Sequence, residues 1–428
     1  MDSQVRGSEG EEFVNELAFK SFFKYWCYPS PKYENGNKKE ICDLLIIFDE
    51  IVIIFSVKNY VFKGNHFRYF NNTIDKASKQ IKGAHRTLFS EKEIIIKHPD
   101  RDKELFQRER IKKVFRVIVN LGENLKFYPF NTATNNDDFI TLFDRDTFET
   151  ILSELDTIPD FIDYLEKREK IFKNKRTFLL PSDEDDFPIE AQEEFFQLSA
   201  NIANFDFTTV FISGKEKDLL AHFIENKRVF PDILNNSKTD HFYLIVDGKW
   251  ETFIENKSFK QKKEADEISY FVDRLVENEF LVNVTPSREI IAKHLLSFDR
   301  LTRRSFAKSY CDFYEKYGCL KGLYFGRRLL KFNNIGVIFT SYTDEMTEEM
   351  FQRLNALTVE SFNLYIKYKY KTMILISTNK DHCFKFSLID NITPYSKEEE
   401  DLIIEDVKTL GWFTELTEGK LTEREFPI

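Results

Sequence analysis

The apolar positions of the chain gather into short dense runs and longer periodic stripes. The densest stretch is Glu40–Lys58, EICDLLIIFDEIVIIFSVK. Two runs rich in Ile, Val and Phe flank an Asp49-Glu50 break, the composition of strands buried on both faces with a tight turn between them. Alternation along a strand puts Ile54, Ser56 and Lys58 on one face and Val57 on the other. Asp43 opens the first run and Lys58 closes the second. Ionisable groups at the ends of buried strands need each other, a metal or a function.

Around this hairpin the periodicity changes to that of helices. Residues 8–26 predict a helix, with Ser8 as N-cap, Glu11 three residues on as in a capping box, and Phe13, Leu17 and Tyr25 along one stripe. Glu12 and Glu16 stand one turn apart on an adjacent face, while Glu9 and Glu11 are expected only to complement the helix dipole. Ile74, Ala77, Ile81, Ala84 and Leu88 recur at spacings of three and four and predict a second helix near 71–89. Lys76, Lys79, Gln80, Lys82 and Arg86 fall on its other faces. KKVFRVIVNLG at 112–122 predicts another strand. The acidic stretch 144–172 predicts helix on both sides of Pro159, capped at Asp156-Thr157 or Asp160 and packed as an appendage on the first domain.

Length and charge refine this outline. At 428 residues two domains are expected. The segment 181–194, with two prolines and a cluster of acids, reads as a linker or exposed loop, so the expected domains are 1–180 and 195–428. The second alternates strand-like and helix-like runs and is expected to be α/β or α+β. Net charge is −10, yet residues 51–130 carry 17 Lys/Arg against 8 Asp/Glu, while 137–198 carry 7 against 18. A basic patch is therefore expected around the hairpin, where a phosphate backbone would dock. The 5 cysteines form no CxxC pair, and the 7 histidines have no metal-ligand spacing. No GxxxxGK loop is present. No apolar run reaches the length of a membrane span, and MDSQVRGSEGEE has no apolar signal core, so a cytoplasmic protein without membrane contact is expected.

Asp43 on one strand and Ser56-x-Lys58 on the next, with helices on either side, resemble the PD-(D/E)xK restriction-endonuclease-like superfamily over roughly residues 8–122. In that superfamily an Asp and an acid-x-Lys meet at a divalent metal within a central mixed sheet flanked by helices. The resemblance implies a magnesium- or manganese-dependent nuclease acting on DNA, of a kind found in restriction or anti-phage defence. Asp43 would be the central metal ligand and Lys58 the group that orients or deprotonates water. Ser56 stands where the family has an acid, Glu12 would be the second carboxylate, and Gln80 a positioning group on the second helix. Two carboxylates and substrate phosphate suffice for magnesium, which keeps several waters.

Three functional readings remain open from the residues themselves. The first is the DNA-cleaving enzyme. The second, motivated by the neutral Ser56, is a catalytically inactive nuclease-like module that binds nucleic acid or a protein partner. The third is an interaction subunit, homo-oligomeric or with another protein, in which Asp43 and Lys58 form a structural pair only. Beyond the hairpin, Lys76 and Arg86 are candidate nucleic-acid contacts. Two further clusters, Arg300, Arg303, Arg304 in FDRLTRRSF and Arg327, Arg328, Lys331 in YFGRRLLKF, interleave cations with aromatics that would stack on bases. The commoner role of such residues is solvation and ion pairing.

Overall fold

The computed structural model describes residues 3–90, 92–123, 128–129, 131–132, 139–173, 175–180, 208–235, 241–332, 334–412, 419 and 422–427. It is mixed α/β and divides into two compact units, Met1–Lys260 and Gln261–Ile428. The acidic segment 181–194 lies outside the described residues. The strands before and after it, Lys175–Leu180 and Thr208–Ser213, are hydrogen-bonded neighbours in parallel, so the compact units divide well beyond it. Among the described residues no helix is long and apolar enough to cross a membrane.

The first unit begins with helix α1 (Ser3–Phe22) and β1 (Cys27–Pro29), followed by β2 (Leu44–Phe48) and β3 (Ile51–Lys58). Helices α2 (His66–Asn72) and α3 (Ile74–Leu88) come next, then a small hairpin of β4 (Ile95–Lys97) and β5 (Lys103–Leu105). β6 (Lys113–Asn120), β7 (Tyr128–Pro129), β8 (Asn131–Thr132) and β9 (Ile140–Asp144) follow. The main sheet runs β1-β2-β3-β6-β9-β8, with β3, β6 and β9 parallel and the other pairs antiparallel.

The hairpin and the second helix form as their patterns predict. β2 and β3 pair from Leu44↔Phe55 to Phe48↔Ile51, leaving the two-residue turn Asp49-Glu50, where Asp49 takes a φ of 52°. That left-handed conformation suits Asp without a glycine. Ile74, Ala77, Ile81, Ala84 and Leu88 are all buried, so α3 covers the sheet with the predicted stripe. The strand at 112–122 is β6.

Helix α1 differs from its prediction. It starts at Ser3, so Ser8 lies inside it, and its buried stripe is Val14, Ala18, Ser21 and Phe22. Phe13 and Leu17 are only half-buried, and Tyr25 belongs to the 3-10 turn Lys24–Trp26. The stripe continues toward the N-terminus through Gly10 and Glu11. A Cβ on Gly10 would lie 3.0 Å from Asn59 Cβ and 3.1 Å from Leu121 Cδ1, so the missing side chain lets the helix rest against the residues that follow β3 and β6.

The acidic stretch is also not an appendage. β9 precedes α4 (Arg145–Glu154) and α5 (Ile158–Phe172) and completes the parallel part of the main sheet. Phe148, Ile151, Leu152 and Phe161 are buried, Ser21 Oγ donates to the Leu152 carbonyl at 3.2 Å, and Phe22 meets Phe161 with ring centroids 5.2 Å apart. α5 is capped by Thr157, whose hydroxyl accepts the Asp160 N–H at 3.2 Å. Its far side packs on a second sheet of β10 (Lys175–Leu180), β11 (Thr208–Ser213) and β12 (His241–Ile245), all parallel, with β7 antiparallel at one edge. Arg168 on α5 and Glu216 at the start of the helix Glu216–Glu225 are both fully buried and joined at 2.7 Å.

The second unit holds a four-stranded sheet, β13 (Gly326–Lys331), β14 (Gly336–Ser341), β15 (Met373–Thr378) and β16 (Phe384–Ile389), in that order. β14 and β15 are parallel and buried throughout, with antiparallel strands outside them. Ile338, Met373 and Leu375 from the sheet pack with Val359 and Phe362 of the helix Glu348–Tyr365.

One glycine fixes the loops at the end of β3 and β6. A Cβ on Gly122 would come within 2.6 Å of the Tyr60 carbonyl oxygen, and closer still to the Tyr69 hydroxyl, which itself donates to Asn120 Oδ1 at 2.7 Å. Backbone cannot yield as a side-chain tip can. Gly122→Ala is expected to lower unfolding free energy by about 1–3 kcal/mol, seen as a lower denaturant midpoint at unchanged slope; an unchanged midpoint would refute this packing.

Candidate functional site

Asp43 lies directly before β2, and the hairpin register continues past Leu44↔Phe55 so that it faces Ser56. Ser56, 2% exposed, donates to Asp43 Oδ2 at 3.1 Å, and the Val57 N–H donates to the same oxygen. Lys58 Nζ stands 3.6 Å from it and donates to the Val57 carbonyl at 3.0 Å. The side chains of Lys58 and Asp43 are only 11% and 15% exposed. Gln80 arrives from α3, its Oε1 3.4 Å from Ser56 Oγ. Four residues singled out from sequence, Asp43, Ser56, Lys58 and Gln80, therefore meet at one end of the sheet.

Of the two α1 carboxylates it is Glu11, and not the expected Glu12, that turns toward Asp43. Glu12 points to solvent from α1. Glu11 is half-buried on the inward face, one residue after Gly10, and burial followed by the nearby Asp43 charge raises its carboxyl pKa, opposed by Lys58. Extending the Val14–Ala18–Phe22 stripe back by one turn, or treating a helical glycine as a point of close approach, would have found it.

Glu40 joins the cluster from the segment before Asp43. Strand alternation places it on the opposite face, but Glu40 lies outside β2 and its carboxyl hydrogen-bonds Asp43. Part of its side chain stays in solvent. Loss of water around the carboxyl, then the charges of Asp43 and Glu11, push it up to about 7. Three carboxylates surround one lysine, and the raised values of Glu11 and Glu40 register lost hydration first and the neighbouring negative charge second.

In kind, these donors fit a hard divalent cation. Their geometry is looser: among the described residues no three His, Cys, Asp or Glu side chains converge enough to hold a metal ion. Glu40 hydrogen-bonds Asp43, while Glu11 acts on it through charge.

The proposed nucleic-acid contacts separate. Lys76 and Arg86 are exposed on α3. Arg303 and Arg304, by contrast, are each 1% exposed and committed inside the second unit, which corrects their assignment as contacts. Arg303 pairs with Asp273 and donates to the Leu296 and Phe298 carbonyls, both at 2.9 Å. Arg304 pairs with Asp266 and donates to the Arg424 carbonyl at 2.9 Å. Arg300 holds Asp273 at 2.6 Å. Helical periodicity turned all three inward, and buried guanidinium groups of this kind require carboxylate and carbonyl partners.

No family model matches the chain, and neither does any curated protein or any solved structure.

Proposed function

We propose that the first unit is a metal-dependent nuclease that hydrolyses DNA phosphodiester bonds. The observation that carries this reading is the meeting of Asp43, Ser56, Lys58 and Gln80 across adjacent strands and one helix. A helix, an antiparallel hairpin, a second helix and a parallel strand surround them in the order expected of a PD-(D/E)xK enzyme. Asp43, with Glu40 or Glu11, would hold magnesium or manganese, which supplies Lewis acidity to the phosphoryl group and acidity to bound water.

The chain's own residues divide the remaining work. Lys58 carries positive charge beside Asp43, where it can orient a water and stabilise charge building on phosphate oxygens. Whichever of Glu40 and Glu11 is left off the metal stands where it can pass a proton to or from a bound water. Ser56 keeps Asp43 in place through a neutral hydrogen bond, so the acid absent from the strand is replaced by Glu40 and Glu11 from outside it. Gln80 positions, and the exposed Lys76 and Arg86 offer charge to the DNA backbone.

The test is cleavage of supercoiled, linear and single-stranded DNA, and of RNA, with magnesium, manganese or chelator. Metal-dependent cutting of DNA is expected. Glu11→Gln should slow it at least about tenfold, whereas Glu12→Gln should stay within about twofold of the parent; the reverse order would move the second carboxylate back to Glu12.

One observation favours a second reading, a nuclease-like module that binds nucleic acid without cutting it. It is the neutral Ser56, buried and donating to Asp43 at 3.1 Å in the place of the family's acid. DNA binding unaffected by magnesium, with no cleavage of any substrate, would support that module.

A further inference from the structure

We propose that Asn120 is a further substrate-contacting residue of the site around Lys58: its side-chain NH2 donates to a non-bridging oxygen of the phosphate to be cut, while Tyr69 and Gly122 hold the amide in the orientation that presents it. The assignment rests on the nuclease reading of the first unit and adds a neutral donor to it.

Topology brings Asn120 to the site. β3 and β6 run parallel, with Ser56 paired to Ile118 and Lys58 to Asn120. Paired residues on neighbouring strands share a face, and such strands lie about 4.8 Å apart. Lys58 and Asn120 therefore stand side by side at the carboxyl ends of two parallel strands, where open α/β sheets bind their ligands. The helices agree on which face this is. Gln80 of α3 reaches Ser56 at 3.4 Å, and Tyr69 of α2 reaches Asn120 at 2.7 Å. On the other face the same strand ends meet α1, where Asn59 and Leu121 lie against Gly10.

Hydrogen bonds fix which way the amide lies. The Gly122 N–H can only donate, so the amide atom it meets at 3.4 Å is the oxygen. The Tyr69 hydroxyl donates to that same Oδ1. Burial pushes the Tyr69 hydroxyl up to about 12, so it keeps its proton at neutral pH. Tyr69 is itself set edge-on against Phe62, with ring centroids 5.8 Å apart, and its hydroxyl also lies 3.2 Å from the Tyr60 carbonyl oxygen. Asn120 is 2% exposed, so these bonds and not bulk water set its orientation. With Oδ1 committed to two donors, the NH2 is the part of the side chain left for a ligand on the Lys58 face.

The chemistry of the corner calls for such a donor. Attack on a phosphodiester builds negative charge on the non-bridging oxygens, and donors already fixed in enclosed surroundings stabilise it without reorganising. Lys58 brings positive charge, and the amide adds N–H bonds with no charge of its own, so it needs no carboxylate beside it. A residue that only braced the loops would need its oxygen alone, and an aspartate would accept from Tyr69 and Gly122 as well as an asparagine does. Only the amide joins an acceptor on one side to a donor on the other.

The experiment compares the full chain with Asn120→Asp, Asn120→Ala and Tyr69→Phe. Asn120→Asp keeps the oxygen that Tyr69 and Gly122 use and replaces the NH2 with an acceptor. Single-turnover cleavage of DNA in magnesium is measured beside binding of a fluorescent DNA duplex in chelator and a thermal melt of each protein. Asn120→Asp and Asn120→Ala are each expected to slow cleavage at least about tenfold. Asn120→Asp should also weaken metal-free binding more than Asn120→Ala, because it sets an acceptor against phosphate. Tyr69→Phe, which removes a bracing bond and keeps the NH2, should fall between these variants and the parent. A merely bracing Asn120 gives the opposite order: Asn120→Asp would cut and bind within about twofold of the parent, and Tyr69→Phe would lose as much as Asn120→Ala. Either result would overturn the assignment and leave the nuclease reading standing. Should Asn120→Asp melt below the assay temperature, Asn120→Ala against Tyr69→Phe decides, and equal losses overturn the assignment. No cutting by the parent under any condition would overturn the nuclease reading and this assignment together.

Discussion

Replacing Lys58 with alanine is expected to slow metal-dependent DNA cleavage by about 10²–10⁴-fold while leaving the fold intact. The ammonium stands 3.6 Å from Asp43 in a nearly enclosed corner, where charge is weakly screened. Its removal leaves Asp43 with two donors, the Ser56 hydroxyl and the Val57 N–H, so the carboxylate is not stranded. Asp43→Asn should lose as much activity, because the amide cannot supply the negative charge around which Lys58, Glu11 and Glu40 are arranged. Single-turnover cleavage rates, measured beside thermal melts of each variant, provide the check. Full cleavage by Lys58→Ala would end the nuclease proposal for this site.

The largest loss of stability is expected from Arg168→Met. Glu216 accepts from Arg168 at 2.7 and 3.0 Å and from the Tyr164 hydroxyl at 2.8 Å, with no access to water. Without the guanidinium a buried carboxylate remains, and the cost is about 3–5 kcal/mol. Its sign with pH follows from the raised carboxyl. Burial lifts the Glu216 pKa even with Arg168 present, and the variant would lift it further. The folded state then holds a proton that the unfolded state releases above about pH 4.3, so stability falls as pH rises from that value through the raised one. Denaturant midpoints of Arg168→Met should therefore drop more steeply between acid and neutral pH than those of the parent. Arg168→Met combined with Glu216→Leu should regain most of the loss, since no lone charge is left. A single variant as stable as the parent at pH 7.5 would contradict the account.

The parts legible in the sequence are those in which local pattern and tertiary burial agree. The Asp49-Glu50 turn, the two strands and the α3 stripe announce themselves because both faces of the hairpin and one face of the helix are buried. Gln80 is singled out by the resemblance, which implies a positioning group on this helix, while the periodicity of α3 sets it only off the apolar stripe. Glu11 was passed over because Phe13 and Leu17 look like the inward stripe of α1, while smaller residues, Gly10, Val14 and Ala18, are the ones that approach the sheet. Close packing prefers them, and hydrophobicity alone does not reveal it. α4 and α5 look like an acidic appendage because their charges hide a buried side, and β9 before them escapes a local reading because a parallel pairing with β6 leaves no turn signal in the chain. The inward arginines Arg303 and Arg304 were misplaced for a related reason: their acids, Asp273 and Asp266, stand about thirty to forty residues away, beyond any local pattern.

The parallel pairing of β3 with β6 also has a consequence for synthesis on the ribosome. Lys58 is registered with Asn120, about sixty residues further along. At roughly 5–20 residues per second, translation separates the two by about 3–12 s. During that interval the nascent β2–β3 hairpin presents an unpaired edge with apolar side chains on both faces, a ready template for pairing with another chain. A nascent-chain chaperone covering residues 44–58 until β6 emerges would shield it, and the stretch most readable in the sequence is thus the one most exposed to misassembly before the protein is complete.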